Sequence, residues 1–320
     1  MKICIVGAGA TGGYLGSKLI QAGVDVSLIA RNQHLKAMKE NGLTIIENGK
    51  KFTCYPKCSD SSEKLGKMDY IFITLKAYSI SGMAEQIAQM FNENTSIITS
   101  YNGIPWWYFY NIKGKFENYK IKCIDPLNVQ WNIFKPERVI GCVVYPATEI
   151  IEPGIIKHIE GNRFSIGEPD GLQSDRVSKL SKILSEAKLK APIRKDIRKE
   201  IWTKLIGNLA FNPLSVIKGE TLDNLVSRQE NRDIAYSIMN EASLIMEKLG
   251  IHLDISINQR IAGALKVGAH KTSMLQDYEK NRELELDAIV GTVKEIGDLV
   301  NIKTPTIDKI LLEVKKKCHI

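Results

Sequence analysis

The N-terminal part of the chain alternates short apolar runs with amphipathic stretches. The first run, Lys2–Val6, is rich in β-branched residues and leads directly into glycines, as buried parallel strands often do. The pattern predicts further strands at residues 25–30, 69–75 and 96–100, and helices at 14–22, 34–41 and 83–91. Asn48-Gly49, between alternating positions, predicts a β-hairpin. The alternation of strands and helices predicts an α/β fold with a Rossmann-type, doubly wound and mostly parallel sheet.

The periodicity changes near residue 195. Strand-like runs at 139–145 and 155–166 and an amphipathic helix at 174–187 come before this point, and long helical periodicity follows it. Helices are predicted on segments 198–211, 229–249, 254–269 and 283–300. The sequence therefore predicts two domains, a Rossmann-type domain at residues 1–195 and an all-α domain at residues 196–320.

One predicted helix carries polar residues in an otherwise apolar stretch. Lys204, Asn208 and Asn212 are four residues apart, so they fall on one face of the helix. Polar groups among apolar neighbours lose hydration, and a bound ligand is one way to satisfy them. The set suits an anionic, oxygen-rich small molecule with a carbonyl group near the lysine. In the other interpretation, the lysine extends to solvent and the amides bond to neighbouring backbone. Both interpretations stay open for this segment alone.

A glycine-rich loop lies between the first predicted strand and the first predicted helix. It has the GxGxxG pattern, and its residues are Gly7, Ala8, Gly9, Ala10, Thr11 and Gly12. In this context the first glycine permits a tight turn, the second leaves space for a pyrophosphate, and the third lets helix and strand pack closely. The helix start offers N–H groups and a positive dipole end to the phosphates. The loop therefore predicts dinucleotide binding.

The end of the second predicted strand bears on the choice between NAD and NADP. NAD-preferring sites usually carry an acidic residue there, whereas this chain has Ala30-Arg31-Asn32. A guanidinium suits a 2′-phosphate, so NADP(H) is the predicted cofactor. Two later strand ends carry Lys76, which can meet cofactor phosphate or ribose, and Asn102, which can meet the nicotinamide or a substrate.

Composition and charge narrow the class of protein. The 320 residues have the apolar and charged fractions of an ordinary soluble protein, and the six cysteines are interpreted as free thiols in a reducing cytoplasm. Neither a zinc-ligand set nor a membrane-spanning run is found, and the first residues lack the pattern of a secretory signal. The formal net charge of +8 is spread along the chain without an aromatic-basic motif. We expect a cytoplasmic protein with a small-molecule partner, no metal, and no nucleic-acid or membrane partner.

Together with two longer motifs, these residues resemble the ketopantoate reductase (2-dehydropantoate 2-reductase) family of the 6-phosphogluconate dehydrogenase-like superfamily. The likeness covers nearly the whole chain. Its motifs are GAGATGG at 7–13, Arg31, LKA at 75–77, NG at 102–103, KLIGNLAFNPLS at 204–215 and TSMLQDYEKNRELELDAIVG at 272–291. The last two motifs are much more specific than the glycine loop.

The resemblance implies that Lys204 is the catalytic proton donor and that Glu285 is a catalytic-site residue near both cofactor and substrate. Hydride delivery to a 2-oxo acid places negative charge on the carbonyl oxygen, which a positioned ammonium can stabilise and protonate. Glu285 is expected to fix the lysine or a ribose hydroxyl, with Glu283 as its local competitor. Without the resemblance, helix capping and exposed acidic residues would explain the segment 273–285.

The resemblance also implies the binding residues. Substrate contacts are expected from Asn102, Lys204, Asn208, Asn212 and Ser273, with Ser273 on the substrate carboxylate, and cofactor contacts from the glycine loop, Arg31, Lys76, Asn102 and Glu285. The implied activity is NADPH-dependent reduction of 2-dehydropantoate to (R)-pantoate, on the route to pantothenate and coenzyme A. The substrate site is expected in a cleft between the domains that closes during turnover. The helical domain offers enough surface for a homodimer.

Two departures from the family pattern keep alternatives open. A further substrate-binding asparagine of the family corresponds to the region around Leu222, where only the displaced Asn224 is close. The aromatic stretch 106–109 is interpreted as core packing, an interface or a reshaped pocket. The alternatives are an NADPH-dependent reductase of another 2-oxo acid, or a catalytically silent protein that senses NADP. The chain retains four residues that cofactor sensing does not require, which argues against the silent protein. They are Lys204, Asn208, Ser273 and Glu285.

Overall fold

The computed structural model describes residues 1–319, which form two compact units. The first unit comprises Met1–Tyr101 and Pro105–Ile197, and the second comprises Asn102–Ile104 and the chain from Arg198 onward. The first unit is α/β and the second is helical, so the predicted fold class is confirmed. The predicted boundary between a cofactor-binding domain at residues 1–195 and a catalytic domain at residues 196–320 stays a proposal. The membership of Asn102–Ile104 in the helical unit is not foreseen from the sequence.

The first unit contains two β-sheets. Its strands are β1 (Lys2–Val6), β2 (Asp25–Ile29), β3 (Leu43–Glu47), β4 (Lys50–Cys54), β5 (Lys57–Ser59), β6 (Met68–Ile73), β7 (Phe91–Thr99), β8 (Val139–Val144), β9 (Ala147–Glu152), β10 (Ile155–Glu160) and β11 (Phe164–Gly167). Seven of them form a sheet in the order β11-β8-β7-β6-β1-β2-β5, parallel except for β11 against β8. The order reverses beside β1, which is where doubly wound sheets bind ligands.

Residues 1–197 also contain helices that connect or cover these strands. They are α1 (Ala10–Gln21), α2 (Asn32–Asn41), α3 (Ala84–Ala88), α4 (Val129–Phe134) and α5 (Asp175–Glu186). The helix predicted at 83–91 is shorter than expected. Phe91 already pairs with Met68 in the sheet, and this long-range pairing overrides the local helical pattern.

The other four strands form a small sheet in the order β4-β3-β10-β9. The predicted hairpin at Asn48-Gly49 is confirmed, and both residues have positive φ (49° and 75°), as in a type I′ turn. This sheet also fixes α1, because Tyr14 Oη and Lys18 Nζ both donate hydrogen bonds to the Glu47 carboxylate. Partial burial disfavours the ionised carboxylate, but the bonds and charge from Lys18, together with Tyr14, lower the pKa of Glu47.

The aromatic stretch 106–109 is part of the core of the first unit. The side chains of Trp106, Trp107, Tyr108 and Phe109 are at most 1% exposed, which decides against the interface and pocket interpretations. Trp107 Nε1 donates to Thr99 Oγ1 at 2.9 Å, so its polar atom is satisfied as it is buried. The segment therefore extends the core beyond the parallel sheet.

His34 links α2 to the turn between β9 and β10. Its Nδ1 accepts a hydrogen bond from Gly154 N at 3.0 Å, which requires an unprotonated Nδ1. Burial lowers the pKa of His34 below its usual 6.5, opposed by a weaker effect of the Ala8 backbone. The folded unit therefore favours the neutral ring. This contribution to stability is complete above pH 6.5 and is lost as the pH falls toward the folded-state pKa.

The substitution His34→Asn tests this link, because Asn Oδ1 can accept the same bond but does not titrate. Between about pH 7.5 and pH 5.5, we expect the free energy of unfolding of the wild type to fall more than that of the variant. Urea unfolding at the two pH values measures the difference. Equal losses in the two proteins would contradict the role given to the His34 ring.

The helical unit contains three helices that the pattern does not predict, namely α7, α10 and α12. Its elements are α6 (Ile197–Lys218), α7 (Leu222–Ser227), α8 (Gln229–Lys248), α9 (Ile257–Lys266), α10 (Ser273–Glu279), a π-helical turn (Asp287–Gly291), α11 (Thr292–Leu299) and α12 (Pro305–Cys318). The predicted end of α6 at residue 211 is wrong, because the helix continues through Pro213. Leu214 and Val216 beyond the proline are buried, and this packing offsets the lost N–H bond. No helix within residues 1–319 is long and apolar enough to cross a bilayer.

Candidate active site

The glycine loop makes the tight turn that its sequence predicts. Gly7 has a φ of +105°, and the N–H groups of Gly7 and Ala8 both donate to Ile29 O, at 3.0 and 2.9 Å. A Cβ on Gly12 would lie 2.2 Å from Gly7 O, so only glycine permits this approach of helix and loop. By contrast, no atom outside the adjoining chain lies within 4 Å of the position that a Cβ on Gly9 would take. The space above Gly9 fits a pyrophosphate, and α1 begins next to it at Ala10 and Thr11.

Thr74 supports the glycine loop from the end of β6. Its Oγ1 donates to Gly7 O at 2.6 Å and lies 3.2 Å from Val6 O. The sequence reasoning misses this residue. A threonine near the end of the predicted strand at 69–75 is the only signal, and threonines are common in strands for many reasons.

The two cationic residues predicted to bind the cofactor, Arg31 and Lys76, lie at strand ends in the first unit. Arg31 is exposed directly after β2 and forms the N-cap position of α2, whose first turn contains no acidic residue. Lys76 is half-buried after β6 and begins a short 3₁₀ turn at Ala77–Ser79. Both positions follow the carboxyl ends of parallel strands, as expected for residues that meet a dinucleotide.

In the helical unit, hydrogen bonds join Lys204, Asn102 and Glu285. Lys204 Nζ donates to Asn102 Oδ1 at 2.9 Å, and Asn102 Nδ2 donates to Glu285 Oε2 at 3.1 Å. Glu285 is only 5% exposed, so its carboxylate lies where such bonds are strong. The two bonds fix the orientation of the Asn102 amide, with its oxygen toward the cation and its nitrogen toward the anion. We call this set the Lys-Asn-Glu group.

The backbone of Asn102–Ile104 is bound to the π-helical turn. Ile104 N donates to Ala288 O at 3.1 Å. Gly103 has a φ of +93°, and a Cβ there would lie 2.1 Å from Ala288 O. The close approach explains why a glycine follows Asn102. It also leaves little freedom for the segment that carries the Asn102 side chain.

The remaining predicted substrate residues lie on α6 and α10. Asn208 is half-buried and Asn212 is 4% exposed, and the Asn212 Nδ2 has no hydrogen-bond partner among the described residues. Buried amide groups are normally satisfied, so this nitrogen is suited to a ligand oxygen. Ser215 Oγ donates to Asn212 O at 2.7 Å and lies 2.6 Å from Thr272 Oγ1. Asn212 is thereby linked to the N-cap of α10, where Ser273 is the first helical residue.

Ser215 and Thr272 were not predicted as site residues. Thr272 Oγ1 accepts a bond from Leu275 N, which is the geometry of an N-cap. A threonine three residues before an apolar helical position was an available signal. The pairing of Thr272 with Ser215, 57 positions away, has no local signal in the sequence.

The region of the further family asparagine is occupied differently. Leu222 begins α7, and its N–H donates to His270 O at 2.9 Å. Asn224 is exposed and its N–H bonds to Asp223 Oδ1 at 2.8 Å. The described residues also include no group of three or more His, Cys, Asp or Glu side chains arranged to hold a metal ion.

A doubly wound sheet with an open GxGxxG loop, together with a bonded Lys-Asn-Glu group, defines a pyridine-nucleotide-dependent oxidoreductase. Two family models match the chain and make the class specific. The model described as "Ketopantoate reductase PanE/ApbA" matches residues 3–171, and its C-terminal counterpart, "Ketopantoate reductase PanE/ApbA C terminal", matches residues 196–317. The chain belongs to the ketopantoate reductase family.

Individual relatives and solved structures are similar to this chain over nearly its full length. The 2-dehydropantoate 2-reductase of Mesorhizobium japonicum is 47% identical over 317 residues, covering 99% of this chain and 97% of the relative. The crystal structure of a 2-dehydropantoate 2-reductase from Geobacter metallireducens has a TM-score of 0.87 at 26% identity, covering 99% of both chains. A ternary structure of D-mandelate dehydrogenase with NADH and anilino(oxo)acetate has a TM-score of 0.86 at 25% identity, covering 100% of this chain and 99% of the other.

Proposed function

We propose that this protein reduces 2-dehydropantoate to (R)-pantoate with NADPH, a step on the route to pantothenate and coenzyme A. The observation that carries the proposal is the Lys-Asn-Glu group, which holds an ammonium by two successive bonds to a buried carboxylate. Such a positioned cation suits the developing alkoxide of a ketone reduction. The 47% identity to a 2-dehydropantoate 2-reductase supports the substrate.

Each residue then has a chemical task. The reduced nicotinamide, when bound, supplies the hydride that converts the carbonyl carbon into an alcohol carbon. Lys204 stabilises the negative charge on the former carbonyl oxygen and donates the proton that completes the hydroxyl. Asn102 and Glu285 hold the ammonium at a fixed place, so little reorganisation is needed during reaction. Asn208, Asn212 and Ser273 bind the oxygen atoms of the substrate.

The activity is tested by following loss of NADPH absorbance with purified protein and a panel of 2-oxo acids. The panel contains 2-dehydropantoate, the analogue that lacks its hydroxymethyl group, and an aryl 2-oxo acid, which is included because a similar D-mandelate dehydrogenase was solved with anilino(oxo)acetate. We expect 2-dehydropantoate to have the highest kcat/KM. Equal or better turnover of the simpler analogue would assign the protein to another 2-oxo acid. The absence of turnover with every acid, despite NADPH binding, would support a cofactor-sensing protein instead.

The cofactor preference is a separate part of the proposal, because the similar D-mandelate dehydrogenase was solved with NADH. Arg31→Ala is expected to raise the KM for NADPH about 10- to 100-fold, since one charge-assisted hydrogen bond contributes about 1.5–3 kcal/mol. The KM for NADH should change little, because NADH lacks the 2′-phosphate. Steady-state kinetics with both cofactors measure the difference.

Lys36→Ala is the matched control for Arg31→Ala, because Lys36 is an exposed cation on α2 that pairs only loosely with Glu40, at 3.9 Å. It should leave both KM values within about twofold. Parallel losses for NADPH and NADH in the Arg31 variant would argue against a 2′-phosphate contact.

The cytoplasmic location, the homodimer and the lack of nucleic-acid and membrane partners stay predictions.

A further inference from the structure

A π-helical turn lies immediately after the Lys-Asn-Glu group. It spans Asp287–Gly291, begins two residues beyond Glu285 and leads directly into α11. Single π turns are uncommon within α-helices and occur frequently at functional sites, because they widen the helix and redirect backbone carbonyls. The carbonyl of interest here is that of Ala288.

The Ala288 carbonyl receives two donors from different parts of the chain. Ile104 N donates to it at 3.1 Å, and Thr292 Oγ1 donates to it at 2.7 Å. Ala288 is 1% exposed and Thr292 is fully buried. A hydrogen bond in such surroundings is not exchanged for a bond to water, so the Thr292 hydroxyl holds this carbonyl firmly.

The position of the Ala288 carbonyl sets the position of Asn102. Ile104 is two residues beyond Asn102, and the intervening Gly103 lies so close to Ala288 that a Cβ would overlap its backbone. A shift of the carbonyl therefore moves the segment Asn102–Ile104, and with it the Asn102 Oδ1 that accepts from Lys204. A displacement of a few tenths of an ångström is enough to weaken a bond of 2.9 Å.

We propose that Thr292 is a positioning residue for the reaction, acting on Lys204 through the Ala288 carbonyl and Asn102. The proposal rests on the proposed reductase function for its kinetic consequence, but the chain of contacts exists in the protein without any ligand. Thr292 itself is fully buried directly after the π-helical turn and does not have to touch substrate or cofactor.

A packing role for Thr292 and the proposed positioning role predict opposite results for two substitutions. Thr292→Val keeps the shape and removes the hydroxyl, whereas Thr292→Ser keeps the hydroxyl and removes a methyl group. If packing alone matters, the serine variant is the more damaged one. If the bond to Ala288 matters, the valine variant is the more damaged one and the serine variant retains function.

We expect Thr292→Val to lower kcat about 5- to 10-fold, as the loss of about one hydrogen bond in the transition state would. The KM for NADPH should stay within about twofold, and Thr292→Ser should keep at least half of the wild-type kcat even if its Tm is lower. In a Lys204→Ala background, Thr292→Val should produce no further loss, because residues that act through one another are not additive. Equal kcat losses in the valine and serine variants, or an undiminished effect without Lys204, would overturn the proposal.

A measurement independent of activity separates this inference from the proposed function. Hydrogen exchange of the Ile104 amide reports its bond to Ala288 directly. Exchange should be faster in Thr292→Val than in Thr292→Ser, measured on the folded full-length protein. Unchanged exchange in the valine variant would overturn the link, whatever substrate is reduced. A wild type that reduces no 2-oxo acid would overturn the proposed function while this result still stood.

Discussion

Replacing Lys204 by alanine is expected to lower kcat for the 2-oxo acid by about 10²- to 10⁴-fold, or about 3–5 kcal/mol of transition-state stabilisation. The ammonium is the donor of the Lys-Asn-Glu group, so its removal takes away both the charge that meets the alkoxide and the proton that completes the alcohol. The dissociation constant for NADPH, measured by fluorescence titration, should stay within about twofold. The two measurements together distinguish a loss of chemistry from a loss of cofactor binding.

Lys199→Ala is the control for this substitution. Lys199 lies on the same helix, and its Nζ pairs with Asp254 at 2.8 Å. Its loss should leave kcat within about twofold and cost less than about 1 kcal/mol of stability, as is usual for an exposed ion pair. Activity of the Lys204 variant near the wild-type level would reject Lys204 as the proton donor. A comparable kcat loss in the Lys199 variant would point to general damage to α6.

The features of the site that follow local periodicity could be predicted from sequence. The spacing of Lys204, Asn208 and Asn212 indicates one helical face, and the GxGxxG loop after a β-branched strand predicts a dinucleotide turn. Both patterns involve residues that are close together in the sequence. The doubly wound sheet could be predicted for the same reason, since each strand and helix has its own local pattern.

Contacts between distant residues could not be predicted in this way. The bond from Lys204 to Asn102 joins positions 102 residues apart, and the bond from Asn102 to Glu285 joins positions 183 apart. The end of a predicted strand already indicates Asn102 as a site residue, whereas only the family resemblance indicates Glu285. The π-helical turn that supports them has no pattern of its own, because Asp287–Gly291 lies within the segment 283–300, whose periodicity predicts an ordinary helix.

Errors in the helical part have a common physical cause. The helix predicted at 198–211 ends just before Pro213, a residue that normally ends or kinks a helix because it lacks an N–H and clashes with the preceding turn. In the folded unit the apolar residues beyond Pro213 remain buried, and tertiary packing outweighs the local penalty. The short helices α7 and α10 are likewise held by contacts such as Ser215 to Thr272 and Leu222 to His270, which no window of sequence contains.

Replacing Gly103 by alanine is expected to destabilise the helical unit by about 3 kcal/mol or more and to lower kcat of the remaining folded protein at least about 10-fold. Two effects add at this position. The φ of +93° is unfavourable for any residue with a Cβ, and that Cβ would lie 2.1 Å from Ala288 O and 2.5 Å from Ala288 C. The obstacle is backbone rather than the end of a flexible side chain, so the segment must move, and Asn102 moves with it.

Gly250→Ala isolates the first effect. Gly250 also belongs to the helical unit and has a φ of +71°, but no atom outside the adjoining chain lies within 4 Å of the position that a Cβ there would take. The expected loss is about 1–2 kcal/mol from the backbone conformation alone, with kcat unchanged. Urea unfolding and kcat per folded molecule are measured for both variants. Equal stability losses in the two would show that the Gly103 segment relaxes away from Ala288 without cost, and an unchanged kcat in the Gly103 variant would show that this contact does not position Asn102.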